Sequence, residues 1–230
     1  MLHLGIQAGI GKESNLAGLE ENLPDYAHFI FRFILFAVLH SLCATNWFKR
    51  LFGKREPGYY RLVYNIVSLM MFAWVMTAFH SSDVLYVIPG IWSLVMYGVQ
   101  LVLLLMMADC LRRTGMASFL GLPAAMAQPQ RLVTSGYYAV VRHPLYTLAI
   151  VFLFLNPVMT VPWLSLALLS SAYFCIGALI EEQRLTEAYG DAYRLYRQAV
   201  PFLIPRLFHS RHCSRSRFQP DTHITDATER

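Results

Sequence analysis

The sequence predicts an all-α fold: a polytopic membrane helical bundle of about five transmembrane helices, with a C-terminal helix hairpin and an interfacial amphipathic helix. Three observations carry this prediction. The 230 residues are 56% hydrophobic and 14% charged, with a mean hydropathy of +0.42, whereas soluble domains average roughly 45–50% apolar residues. Apolar stretches recur at lengths close to the ~20 residues that cross a hydrocarbon core. Lys and Arg crowd into alternate loops.

In chain order, the first span runs from Tyr26 to Thr45, the second from Tyr60 to Phe79 and the third from Val84 to Ala108. Two further stretches, Pro144 to Asn156 and Pro162 to Ile180, form a hairpin turned at Asn156-Pro157 and Pro162. The first of that pair is shorter than the roughly 17 residues a crossing requires. It can recruit Tyr137 to Val141, tilt, or end inside a protein-lined cavity. After Glu182, the residues Leu185, Ala188, Tyr189, Ala192, Tyr196 and Ala199 recur at helical spacing on one face, opposite Gln183, Arg184, Glu187, Arg194, Arg197 and Gln198. This amphipathic segment suits the interface until Pro201 and Pro205 stop it.

Charge placement orients the bundle. Lys49, Arg50, Lys54, Arg55 and Arg61 fill the first loop, Arg112, Arg113, Arg131 and Arg142 the third, and Arg184, Arg194, Arg197 and Arg206 follow the last span. The second and fourth loops have neither Lys nor Arg. The positive-inside rule then puts the N-terminus outside and the C-terminus in the cytoplasm of an integral membrane protein, in a bacterial inner membrane. The net charge of +5 follows from that orientation, so lipid headgroups rather than nucleic acid are the expected partner.

Four regions result: an external polar tail over 1–25 without signal-peptide character, N-terminal transmembrane helices over 26–108, a C-terminal half over 109–208, and a disordered cytoplasmic tail over 209–230. The loop from 109 to 142 is too long for a simple connector and suits a lid or substrate wall. Cys43, Cys110, Cys175 and Cys213 are scattered and form no disulfide or metal framework.

The chemistry concentrates in two polar blocks, GYYAVVRHPLYT at 136–147 and EEQRLTEAYGDAYRLYRQAVPFLIP at 181–205, which the hairpin returns to one membrane face. Pro144 suits the first position of a helix with His143 as its cap. The free amides beyond it, the helix dipole and Arg142 then make an anion site. Glu181 and Glu182 directly follow an apolar helix, where carboxylates answer to a cation, a hydroxyl or a cavity. Each block also has a plainer reading, as a positive-inside arginine with a helix cap and as a solvated helix end beside Arg184. Together the blocks match a zwitterion with both a carboxylate and an ammonium group. S-adenosylmethionine is such a molecule, and Tyr137, Tyr138, Tyr146, Tyr189, Tyr193 and Tyr196 can meet its adenine and sulfonium. The Gly-rich dinucleotide loop of soluble enzymes is not present.

From Arg131 to Pro205 the chain resembles the integral-membrane methyltransferases of the isoprenylcysteine carboxyl methyltransferase and phospholipid methyltransferase superfamily. The resemblance rests on Arg142, His143, Pro144, Tyr146, Glu181, Glu182, Tyr193, Tyr196, Val200, Pro201 and Pro205. From Leu39 to Leu69 it resembles the bacterial NnrU-like and methanethiol S-methyltransferase branch. The resemblance implies an S-adenosylmethionine-dependent membrane methyltransferase whose cofactor-binding half is 109–208. It implies cofactor contacts from Tyr137, Arg142, His143, Pro144, Tyr146, Glu181, Glu182, Tyr193 and Tyr196, with His143, Glu182 and Arg142 nearest the chemistry. His40, Ser41, Tyr60, Arg61, Tyr64 and Asn65, at the same membrane face, are candidates for the acceptor pocket.

Two departures from the superfamily bear on the acceptor. Isoprenylcysteine enzymes tend to carry an arginine shortly before the glutamates, where this chain has CIGALI from Cys175 to Ile180, and the block before RHP reads GYY rather than GPY. The expected acceptor is therefore small or lipophilic, reached from membrane or cytoplasm, with thiol S-methylation first. Phospholipid N-methylation and isoprenylcysteine-type carboxyl methylation are the alternatives. Two readings from other classes stand beside these. One is a non-catalytic scaffold. The other is a haem protein using His28 and His80, since His40 and His80 fall at opposite faces; a metal at His209, His212 and Cys213 is weaker still.

Overall fold

Long runs of apolar residues uninterrupted by proline satisfy their backbone groups internally, which hydrocarbon demands of any spanning segment. The computed structural model describes residues 25–51, 59–78, 84–115 and 132–206. In chain order these form α1 (Asp25–Ala44), α2 (Asn46–Arg50), α3 (Tyr60–Met76), β1 (Val84–Val87), α4 (Ile91–Thr114), a 3-10 turn (Gly136–Ala139), α5 (Pro144–Phe154), β2 (Val158–Thr160), α6 (Val161–Tyr189) and α7 (Asp191–Ala199). The chain is an all-α membrane protein: α1, α4 and α6 are each long and apolar enough to cross a bilayer, and α3 and α5 are shorter apolar helices.

The bundle is assembled by neighbours in sequence. α4 packs on α5, α5 on α6, and α6 on α7. α1, α3 and α6 share a core of Phe29, Phe33, Val75, Ala78 and Leu166. Only 6% of the apolar window of α4 is buried, so most of its surface is left for lipid, where packing rather than hydrophobicity holds helices together.

The third predicted span begins differently. Val84–Val87, expected as helix, is a strand paired antiparallel with Val158–Thr160, and the helix starts at Ile91 and continues to Thr114. Gly90 separates the two at φ 69°, a left-handed conformation that glycine adopts without a Cβ clash. The boundary drawn between 108 and 109 consequently falls inside α4. The pairing of β1 with β2 places the second and fourth loops, the two without Lys or Arg, at the same end of the bundle.

α5 has 11 residues and spans about 16 Å, roughly half a hydrocarbon core. It does not recruit Tyr137 to Val141, which lie in the separate 3-10 turn and the irregular segment after it. Instead its exposed backbone end is satisfied by protein. Gln100, buried on α4, donates to the Phe152 carbonyl at 3.2 Å, and the Trp163 indole donates to the Leu153 carbonyl at 2.8 Å. The Tyr86 hydroxyl reaches the Asn156 carbonyl at 3.3 Å, and the Ile88 amide reaches the Pro157 carbonyl at 2.8 Å. A helix that stops midway is tolerated only under such cover.

The amphipathic segment is also revised. α6 runs unbroken past Glu181 and Glu182 to Tyr189, and Gly190, at φ 55°, breaks the helix before α7. The break rotates the register. Tyr193, absent from the predicted stripe, becomes buried with Tyr196 and Val200, and Leu132, Leu185 and Tyr189 pack against them. Ala188, Ala192 and Ala199, on the predicted stripe, are exposed. α7 turns its tyrosines onto the protein rather than into lipid.

Replacing Trp163 by Phe keeps an apolar ring but strands the Leu153 carbonyl. The expected cost is about 1–3 kcal/mol, read as a lower thermal midpoint for the detergent-solubilised protein.

Candidate functional site

The hairpin α5–α6 brings residues 142–147 and 181–182 together, and the chain after α7 returns across them. Pro144 occupies the first turn of α5 with His143 as N-cap, as the fixed φ of proline favours. Thr147 donates its hydroxyl to the Leu203 carbonyl at 2.8 Å, the Arg142 amide to Pro201 at 2.9 Å, and the His143 amide to Phe202 at 3.3 Å. Residues 201–203 are thus a strap laid over the start of α5.

Under the strap lies the central charge pair. Glu182 is 7% exposed, and its Oε1 accepts from Arg142 Nε at 2.6 Å and lies 3.3 Å from His143 Nε2. Arg142 Nη1 donates to the carbonyls of Arg197 at 2.7 Å and Val200 at 2.9 Å, which closes the C-terminal end of α7. The expected free anion site is therefore not formed by Arg142. A carboxylate this deeply buried needs a cation, and Arg142 supplies it. Arg142 thereby ties Glu182 to the last turn of α7.

Glu181 differs from its neighbour. Its side chain is 47% exposed and its Oε2 lies 3.6 Å from His143 Nδ1, so the buried imidazole stands between two carboxylates. Phe202 meets the His143 ring edge-on at 5.1 Å, and Tyr146 stacks on it at 5.7 Å. Arg113 lies 5.8 Å from the centre of the Tyr137 ring.

Three phenols complete the enclosure. The Tyr196 hydroxyl donates to the Tyr138 carbonyl at 2.7 Å, and the Tyr138 hydroxyl lies 3.5 Å from Cys110 Sγ. Burial pushes Tyr196 up to about 12, and burial likewise raises Tyr138 and Tyr193. All three stay neutral at physiological pH, so negative charge here belongs to the glutamates. The Tyr193 hydroxyl is buried without a hydrogen-bond partner, and a buried hydroxyl left unsatisfied costs about 1–3 kcal/mol. It is an orphan donor in the electrostatic reach of Glu182; a separate groove of about 490 Å³, lined by Leu179, Glu182, Gln183, Thr186, Glu187 and Arg197, reaches the site through Glu182 alone. An orphan hydroxyl, a half-exposed carboxylate and a π-rich wall fit a polar cofactor with a cationic centre.

The acceptor candidates form a second cluster. His40 Nδ1 lies 2.9 Å from Ser68 Oγ, and the Tyr64 hydroxyl lies 2.8 Å from His40 Nε2. Ser41 Oγ lies 3.0 Å from the Tyr173 hydroxyl, and Tyr60 donates to the Cys43 carbonyl at 2.7 Å. Arg61 and Asn65 begin the same helix, α3. The two clusters are joined by rings: Tyr146 stacks on Phe174 at 5.5 Å, Phe174 neighbours Tyr173 at 6.4 Å, and Tyr173 meets His40 edge-on at 6.2 Å.

Sequence reasoning missed Ser68, Thr147, Tyr173, Phe174 and Phe202. One signal was available: Phe174 precedes Glu181 by seven residues, two helical turns, on one face of α6. His80 and the His209, His212 and Cys213 group lie outside the described residues, as do positions 116–131 of the 109–142 loop and nearly all of both tails.

A family model described as NnrU protein matches residues 28–189. The chain is 30% identical over 186 residues to methanethiol S-methyltransferase 2 of Bradyrhizobium diazoefficiens, covering 76% of this chain and 71% of that protein. It is 28% identical over 195 residues to the methanethiol S-methyltransferase of Pseudomonas deceptionensis, covering 75% and 70%. A shorter match to methanethiol S-methyltransferase 1 of B. diazoefficiens is 42% identical over 79 residues, covering 34% of this chain and 28% of that protein. No solved structure matches.

Replacing Arg142 by Ala leaves Glu182 buried and unpaired, at an expected cost of about 3–5 kcal/mol. Adding Glu182→Gln to that variant should recover part of the loss. Thermal unfolding of the single and double variants in detergent measures both.

Proposed function

Because this chain belongs to the NnrU family, we propose that it is a membrane S-adenosylmethionine-dependent methyltransferase that S-methylates a small thiol. The observation that carries the proposal is the constellation around Glu182: a buried carboxylate fixed by Arg142 and His143, with an orphan tyrosine hydroxyl in its electrostatic reach. The names of the long-matching relatives supply the reaction. Thiol methylation also agrees with the lack of an arginine in the segment before Glu181, where a carboxylate acceptor calls for a cation.

S-adenosylmethionine, when bound, supplies a methyl group already activated on a sulfonium. The chain must therefore hold, orient and exclude water. Glu181 and Glu182 would take the cationic end, and His143 and Tyr193 the polar groups beside it. Tyr137, Tyr146 and Tyr196 offer aromatic faces to the sulfonium and the base. Arg142 acts through Glu182, holding the carboxylate in place. His143, between two carboxylates, would hold both in place, and the acceptor would react as its thiolate, the nucleophilic form. The acceptor would enter from the His40, Ser41, Tyr60, Arg61, Tyr64 and Asn65 end.

The orientation follows the charge pattern: the face bearing β1 and β2 outside, the face bearing the site cytoplasmic, in a bacterial inner membrane.

Calorimetric titration with S-adenosylmethionine or S-adenosylhomocysteine, on protein in nanodiscs, tests the reading. Wild type binds, and Glu182→Ala abolishes binding, with Glu182→Gln, which still accepts from Arg142, separating loss of the charge from loss of the fold; failure of wild type to bind either compound overturns the assignment. Tyr193→Phe gives a paired signature. It stabilises the ligand-free protein, because the orphan hydroxyl is gone, and weakens donor binding several-fold.

A further inference from the structure

Between α1, α3, α4, α5 and α6 lies an apolar cavity of about 320 Å³. Its composition changes along its length. Phe33, Phe72 and Leu166 line one end; His40 and Tyr173 lie seven residues further along α1 and α6, about 10 Å nearer the site-bearing face. Phe174 is part of its wall and stacks on Tyr146, which in turn stacks on His143. The cavity therefore has an apolar far end, a polar near end, and an aromatic partition shared with the cofactor site. Leu104, also in the lining, is 46% exposed, so the rim meets the lipid side of α4.

We infer that this cavity is the acceptor chamber, and that it takes uncharged alkyl thiols much longer than one carbon, the thiol head at the Tyr173 and Phe174 end that adjoins the cofactor site and the alkyl tail among Phe33, Phe72 and Leu166. The inference rests on the thiol methyltransferase reading above. Size decides for longer acceptors. At roughly 30 Å³ per water-sized group the cavity holds on the order of ten heavy atoms, whereas methanethiol has one carbon and one sulfur. A one-carbon thiol leaves most of the apolar end unfilled. Each methylene added to the acceptor removes apolar surface from water without meeting a polar wall, until the end at Phe33 and Leu166 is reached. A thiol with a charged tail would have to desolvate that charge among phenylalanines, which none of the described lining residues at that end compensates.

The test is the rate of methyl transfer from labelled S-adenosylmethionine to a series of n-alkyl thiols from methanethiol to n-hexanethiol, with 2-mercaptoethanesulfonate as the charged comparator. The full chain is assayed in nanodiscs, with donor affinity measured separately by calorimetry. The expected result is a kcat/KM that rises roughly fourfold per methylene, with the sulfonate a poor acceptor. Ala149→Phe and Ser170→Leu each intrude on the cavity from a different helix. In either, the ratio of kcat/KM for n-hexanethiol over methanethiol falls at least tenfold. Methanethiol turnover with a flat or falling series, or a ratio that neither substitution moves, overturns the chamber while leaving the methyltransferase reading intact. Donor binding without methylation of any thiol in the series overturns the thiol reading, and the chamber with it.

Discussion

A carboxylate at the end of a membrane-spanning helix must be hydrated, neutralised or paired, and Glu182 is paired. The 2.6 Å contact with Arg142 fixes more than two side chains. The same guanidinium holds the carbonyls of Arg197 and Val200, so one buried charge requirement anchors the C-terminal end of α7. The backbone amides of Arg142 and His143 then hold the strap at Pro201 and Phe202. Removing either charge leaves the other stranded in a low-dielectric site. The position of α7, the closure of the strap and the orientation of His143 therefore share one dependency.

The opposite end of the bundle obeys a different constraint. α5 is too short to cross; its terminal carbonyls at Phe152 and Leu153 are met by Gln100 and Trp163, and those of Asn156 and Pro157 just beyond it by Tyr86 and the Ile88 amide. These donors come from α4, α6 and the β1 region. The cover that makes an incomplete helix tolerable also ties the N-terminal elements to the C-terminal hairpin. α5 is thereby a short strut between a satisfied C-terminal end and a charged N-terminal one, and its few side chains, Tyr146 among them, stand between the two clusters of polar residues.

Much of this was legible in the sequence, and the reasons for what was not are physical. Span positions followed from composition because hydrocarbon imposes a length and a polarity that few residues evade. The pairing of 142–143 with 181–182 followed from hairpin topology. The β1 strand was hidden, since Val84, Leu85, Tyr86 and Val87 are apolar and continue into an apolar helix, and hydropathy cannot tell a β-branched strand from a helical turn. Gly190 was visible as a residue but not as a hinge: an isolated glycine in a helical pattern is commonly tolerated, and only its φ of 55° moves Tyr193 onto the inner face. The commitment of Arg142 to Glu182 was missed for a further reason. Charge complementarity in a sequence invites a ligand, whereas in the folded chain the nearest complementary charge is another side chain.

The strap has a consequence for biosynthesis. Residues 201–203 follow Arg142 and His143 by about 60 positions, which at ~5–20 residues per second of translation is roughly 3–12 seconds. During that interval α5 and α6 can enter the bilayer, but the amides and guanidinium that the strap and α7 will satisfy have only water or headgroups to bond. The site is thus the last part of the described fold to be sealed, and a chain stalled before it carries an inserted bundle with an open, hydrated end. Such an intermediate has its Arg142–Glu182 pair already in reach but leaves the Arg142 and His143 amides and one arm of the guanidinium to water.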